Sequence, residues 1–308
     1  MSDSGADKRV VVRTDPDDLA AAVARRFVDR VAKRSRAGKT VHVSLTGGGM
    51  GTAVLAAVAA HPERDAVDWS RVHFWWSDER FVPARSADRN DRGADEALLD
   101  QLALPAGNIH RMAASDQGLE LDAGAEAYAA ELAAYGPTAT AATGMLTGPW
   151  PSFDICFLGV GPDGHIASLF PDRPEIRITD RTAVAVRDSP KPPPERITLT
   201  RPVINSSKRV WLVLAGADKA SALGLALAGA SYHSVPAAGE GSPTHHLLRR
   251  RGGRRHGAAR ADRRLLLTAS RPQAGLARRA TVRGARAACL SASSRSASAS
   301  SSVRRSLT

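Results

Sequence analysis

Asp163 and His165 stand two residues apart in the stretch Phe153-Asp-Ile-Cys-Phe-Leu-Gly-Val-Gly-Pro-Asp-Gly-His-Ile-Ala-Ser-Leu-Phe-Pro171. Histidine has the side-chain pKa nearest neutrality, which suits it to general-base work. The segment opens as an apolar strand, Ile155 to Leu158 with Val160, and ends in a turn built on Gly159, Gly161 and Gly164. Glycine can take φ > 0 and lets a ligand approach the backbone closely. The pair therefore falls just past the carboxyl end of a strand, where open α/β sheets place their ligands. An Asx-type turn at Asp163 with His165 starting a helix is the competing, purely structural reading.

Three other turns carry groups suited to an anion. Thr46-Gly47-Gly48-Gly49-Met50-Gly51-Thr52 joins an apolar run, Val41 to Leu45, to a helix-like run from Ala53 to Ala60. Free N–H groups and the macrodipole at such a helix start favour a phosphate. No Gly-Lys-Ser/Thr follows, so this is not a Walker loop, and the spacing differs from the dinucleotide fingerprint. A tight strand-to-helix connection would look the same. After a third apolar strand, Val72 to Trp76, comes Ser77-Asp78-Glu79-Arg80-Phe81-Val82-Pro83. Asp78 and Arg80 there suit sugar hydroxyls and phosphate, or else a salt-bridged loop. Lys219 lies between a strand, Val210 to Leu214, and a helix from Ala220 to Ala228. Helix starts prefer acids, so a lysine there complements a bound anion rather than the helix.

The elements that position these turns alternate. A helix over Asp17 to Lys33 shows Leu19, Ala22, Val23, Phe27 and Val31 on one side. Ala94 to Leu102 and Gly118 to Tyr135 read as helices, Asn108 to Arg111 as a fourth short strand, and Asp88 to Gly93 and Gly136 to Pro151 as loops. Thr182 to Val186 and Arg196 to Thr200 read as strands, separated by a proline-rich loop, Pro190 to Pro194. Alternation of strand and helix predicts a mostly parallel α/β sheet with helices on both faces, a Rossmann-like three-layer sandwich. The unusual turns would gather along one edge of that sheet.

Composition bounds the remaining choices. The 308 residues carry a net charge of +12, but residues 240 to 308 hold 16 Arg, no Lys and two acids, Glu240 and Asp262, for +14 on their own. Residues 1 to 239 are left with 27 basic and 29 acidic residues, or −2. The chain divides accordingly into an ordinary domain, 1–239, and an Arg/Ser-rich tail, 240–308, whose composition predicts disorder. No apolar run reaches ~18 residues, so no membrane span is predicted. Met1 to Lys8 lacks a signal-peptide core. Two cysteines, Cys156 and Cys289, build no disulfide framework, and a reducing cytoplasm is the consistent compartment. No His/Cys cluster has metal-ligand spacing, and no cofactor motif is present.

Five segments together resemble the 6-phosphogluconolactonase family, within the superfamily shared with glucosamine-6-phosphate deaminases. They are Ser44 to Gly49, Trp76 to Arg80, Gly159 to Pro171, Arg196 to Thr200 and Gly216-Ala-Asp-Lys219, and the likeness runs from about Val10 to Gly239. The resemblance implies a metal-independent, cofactor-free enzyme of the oxidative pentose phosphate pathway that hydrolyses 6-phospho-D-glucono-1,5-lactone. It implies a phosphate cradle at Thr46, Gly47, Gly48 and Gly49, a phosphate-binding Lys219, further anion contacts at Arg80 and Arg196, and His165 as the base beside Asp163. Deaminases of the superfamily carry a Glu five residues after the histidine, where this chain has Phe170. A sugar-phosphate isomerase or deaminase is the alternative. A nucleic-acid binder working through the basic tail is a third reading, but the tail has no aromatic residue among its arginines and no recognisable motif. The same composition is what GC-rich codons yield when read out of frame, so a frameshift near Glu240 is a further expectation for the tail.

Overall fold

The computed structural model describes residues 7–136, 148–239 and 264–270. In chain order the elements are β1 (Asp7–Arg13), α1 (Pro16–Arg36), β2 (Val41–Leu45), α2 (Gly48–Ala59), β3 (Val72–Trp76), β4 (Asp78–Arg80), α3 (Asn90–Ala97), α4 (Leu121–Ala134), β5 (Ile155–Leu158), β6 (Ala183–Val186), β7 (Arg196–Leu199), α5 (Arg201–Asn205), β8 (Val210–Leu214), α6 (Ala220–Leu227) and β9 (Arg264–Ser270). Short 3-10 turns fill several of the connections. All described residues belong to one compact unit, Met1–Gln273.

Six strands form one sheet in the order β1-β9-β8-β5-β2-β3, and every neighbouring pair runs parallel. Parallel sheets are covered on both faces, so their strands read as unbroken apolar runs. β5 and β8 are buried at every position. From β2 the chain moves outward to β3, then returns to lay β5 against the other side of β2. The crevice at the carboxyl ends of β2 and β5 is therefore a topological switch point.

α1 shows how local signals agree with packing. Asp15 caps it by accepting from the Asp18 N–H at 2.7 Å, Pro16 opens it, and Lys33, Arg34 and Arg36 sit in its last turn. Leu19, Val23, Phe27 and Val31 recur every four residues and are fully buried. Phe27 packs against Trp69 and Phe157, ring centroids 6.5 and 5.7 Å apart.

Several expectations need correction. A second sheet is present, antiparallel, in the order β4-β7-β6. Its strand β4 lies in the charged run read as a loop. α2 begins inside the glycine turn at Gly48 rather than at Ala53, and α3 begins at Asn90 in the stretch read as loop. The expected strand at Asn108 to Arg111 reduces to a single bridge between Phe74 and Ile109. Within the basic segment, β9 is an internal strand between β1 and β8, built on the run Leu265-Leu266-Leu267. The rest of 240–308, with the frameshift expectation, lies outside the described residues, as does 137–147 of the expected loop.

Toward the amino ends of the strands a histidine stack holds β2, β3 and α4 together. The Trp75 indole N–H donates to His42 Nδ1 at 3.2 Å. His110 places Nδ1 2.7 Å from Glu131 Oε1 and Nε2 2.9 Å from His73 Nδ1. Indole only donates and carboxylate only accepts, so His42 must accept at Nδ1 and His110 must donate through its Nδ1–H. Burial, reinforced by neighbouring histidine charge, pushes His42 down to about 3 and His73 to about 4. A histidine depressed in the fold stabilises fully above its ordinary value near 6.5, and that stability is lost as pH falls toward the folded value. Acidification from pH 7 to 5 should therefore lower the urea midpoint, His42 contributing up to ~2 kcal/mol. His42→Asn keeps an acceptor for Trp75 without titrating, and should flatten this dependence; an unchanged slope would remove His42 from it.

Candidate active site

The glycine turn after β2 leaves the first turn of α2 unblocked. No side chain caps this helix and no acid stands in its first turn. Its opening N–H groups therefore keep their capacity for an anion. Gly47 is required by contact: a Cβ there would collide with the Asn90 side chain. Thr46 Oγ1 accepts the Gly159 N–H at 3.1 Å and ties the cradle to the turn after β5.

A cleft of about 220 Å³ opens along this edge. It is lined by Thr46, Gly47, Gly48 and Gly49 after β2, by Asp78 and Arg80 of β4, and by His165 after β5. Arg196 of β7 and Lys219 after β8 complete the wall. Asp163 is not itself in the wall but touches His165 directly. The structure thus brings together every residue singled out in the sequence.

His165 Nδ1 lies 2.5 Å from Asp163 Oδ1. A carboxylate accepts, so the ring donates through Nδ1–H, which leaves Nε2 as the nitrogen available to exchange a proton. Burial alone would raise the Asp163 carboxyl; the hydrogen bond from His165, its charge and the Lys191 ammonium outweigh it and hold it down to about 2. The ring packs on Phe170, centroids 4.7 Å apart, and over Gly161, where a Cβ would collide with Cε1 and Nδ1 of His165.

Buried polar contacts fix the remaining wall. Asp78 Oδ2 accepts from Ser168 Oγ at 2.7 Å. Glu79 accepts the N–H groups of Asn90 and Asp91 at 2.7 and 2.8 Å, seating the start of α3. Burial pushes the Glu79 carboxyl up to about 7 against the pull of Arg89. Asn90 then donates to Asp78 O at 2.8 Å and accepts from the Arg80 guanidinium. Two lining residues escaped the sequence reading. Asn90 sat in a segment read as featureless polar loop. Lys191 was hidden among prolines, and its Nζ lies 3.4 Å from His165 Nδ1 and 3.7 Å from Asp163 Oδ1.

The arrangement offers an imidazole held by a carboxylate, an uncapped helix start and several cations around one cleft. The sequence pattern described as glucosamine-6-phosphate isomerases/6-phosphogluconolactonase matches residues 14–247. A 6-phosphogluconolactonase of Streptomyces coelicolor is 46% identical over 241 residues, covering 78% of this chain and 89% of that protein. One from Mycobacterium tuberculosis is 46% identical over 227 residues, covering 73% and 88%. The solved 6-phosphogluconolactonase of Trypanosoma brucei superposes with a TM-score of 0.68 over 85% of this chain and 96% of its own, at 24% identity, a likeness of fold. Motif, identity and fold agree, and the chain belongs to the glucosamine-6-phosphate isomerase/6-phosphogluconolactonase family.

Proposed function

We propose that the chain is a 6-phosphogluconolactonase, hydrolysing 6-phospho-D-glucono-1,5-lactone to 6-phospho-D-gluconate in the pentose phosphate pathway. The observation that carries this reading is the Asp163–His165 pair in a cleft shared with the glycine cradle. Water attacks the lactone carbonyl carbon while His165 Nε2 takes its proton, and the carbonyl electron pair moves onto oxygen. The intermediate collapses by breaking the ring C–O bond. The ring oxygen leaves as a hydroxyl with the proton returned by His165, and the acid product ionises. Asp163 holds the imidazole tautomer and offsets the charge of the imidazolium. The N–H groups at Gly47 to Gly49, with Lys219 and Arg80, grip the remote phosphate, whose binding energy holds the ring for attack. Asp78 faces the sugar hydroxyls.

Phe170 speaks against the deaminase alternative. It occupies the position of the deaminase glutamate and packs its ring on His165, where no proton can be relayed through it. No described helix is long and apolar enough to cross a membrane, and the sparse cysteine usage supports a reducing cytoplasm as the proposed compartment.

The test is direct. The purified chain should hydrolyse the phosphorylated lactone well above the spontaneous rate and release no ammonia from glucosamine 6-phosphate; the reverse pattern would replace this reading with the deaminase. Lys219→Ala should raise KM about tenfold or more, the size of one charge-assisted contact of roughly 1.5–3 kcal/mol, with little change in kcat. Comparable loss with unphosphorylated glucono-1,5-lactone would show that Lys219 does not contact the phosphate.

A further inference from the structure

We propose that Lys191 is a catalytic residue that faces the oxyanion, and that Arg196 is a positioning residue which holds Lys191 there. The proposal rests on the lactonase reading of the same cleft. It starts from what Arg196 does with its donors. Its side chain is 6% exposed, and Nε donates to Pro193 O at 3.1 Å while Nη2 donates to Lys191 O and Pro192 O, both at 3.0 Å. Nη1 reaches Ser168 Oγ at 3.5 Å and lies 3.9 Å from Asp78 Oδ2. Three consecutive carbonyls of the loop thus converge on one buried guanidinium, whose fork geometry suits such a grip. Little of it is left for a substrate phosphate.

The loop so held delivers Lys191. Its Nζ sits beside the base, 3.4 Å from His165 Nδ1 and 3.7 Å from Asp163 Oδ1, and the residue lines the cleft. The ammonium pairs with the Asp163 carboxylate, but a cation adjoining a general base also disfavours the imidazolium that must form, so that pairing alone does not account for a lysine at this place. Negative charge developing on the substrate supplies the reason. In this proposal the lactone carbonyl oxygen lies on the Nζ side of His165 when the water held by the imidazole meets the carbonyl carbon. The cradle and Lys219 follow β2 and β8, the strands on either side of β5, so the phosphate has its own cations elsewhere. Lys191 gains strength only as the carbonyl electron pair moves onto oxygen, which is stabilisation of the transition state rather than of bound lactone.

The experiment compares Lys191→Met, Arg196→Gln and the double variant on 6-phosphogluconolactone and on glucono-1,5-lactone, with spontaneous hydrolysis subtracted. Removing one oxyanion partner typically lowers kcat by ~10²–10³-fold, and Lys191→Met should do so by the same factor with both lactones. Arg196→Gln should reproduce most of that loss, and the double variant should be no slower than the slower single one, because both changes remove one group. Lys191→Arg should recover part of the rate. Arg196→Lys, which keeps the charge but not the three-carbonyl grip, should show the same kcat defect and replaces Arg196→Gln should that variant not fold. A Lys191→Met defect confined to KM for the phosphorylated lactone would make Lys191 a phosphate contact and overturn the proposal, as would full activity or multiplicative losses in the double variant. Wild-type turnover lost in His165→Asn is the control. Its absence would refute the lactonase reading; its presence beside an unaffected Lys191→Met would refute this proposal alone.

Discussion

His165→Asn lowers kcat on the phosphorylated lactone by about 10²–10⁴-fold, the usual worth of a general base, and leaves KM and thermal stability close to wild type. Asparagine keeps the approximate volume and a donor toward Asp163, so the hydrogen bond that shapes the turn survives. It lacks a lone pair of imidazole basicity where Nε2 stood. The phosphate grip lies on other loops, which is why binding should persist. The measurement is steady-state hydrolysis with the spontaneous rate subtracted. Near-wild-type turnover would remove His165 from the mechanism. Asp163 is ionised down to about pH 2, so loss of activity on mild acidification should not track its titration; Asp163→Asn should lower kcat without creating a new acidic limb.

Gly161→Ala should be nearly as damaging, although it adds only one methyl group. The new Cβ would collide with Cε1 and Nδ1 of His165 and come within 2.5 Å of Asp163 Oδ1. Neither neighbour can withdraw freely: Phe170 backs the ring, and the two groups hold each other. The ring must turn, breaking the Nδ1 bond and misdirecting Nε2, and a misplacement of about 1 Å can cost ~10²-fold in rate. A fall of about that size in kcat, with KM little changed, is the expected result. Imidazole NMR should lose the hydrogen-bonded Nδ1–H signal in parallel. An active variant with that signal intact would show that the turn accommodates the methyl without moving the base.

Much of this site was legible because its parts announce themselves locally. β2, β3 and β8 are apolar runs ended by glycine or charge, and their limits matched the structure residue for residue. Each candidate turn followed such a run, so a parallel sheet placed them on one edge. β4 was not legible. Asp78-Glu79-Arg80 has no apolar alternation, and its strand conformation comes from pairing with β7 and from groups far along the chain. α2 was read as starting late because glycine argues against helix, whereas the open first turn is what the cradle uses. Lys191 gave no local signal; only the fold of its loop, held by Arg196 from five residues on, brings it to a histidine 26 residues away.

The order β8-β5-β2 has a consequence for how such a protein can change its trade. In the proposed reading the glycine cradle and Lys219 hang from the two outer strands of this trio and the reactive pair from the middle one. Mutations in the middle loop can therefore explore new reactions while the outer loops go on capturing the same phosphorylated sugars. Divergence needs no simultaneous reinvention of grip and chemistry, only drift in one hairbreadth of sequence such as the position of Phe170. A single ancestral sheet could in this way give rise to both isomerases and lactonases, the two activities joined in the family's description.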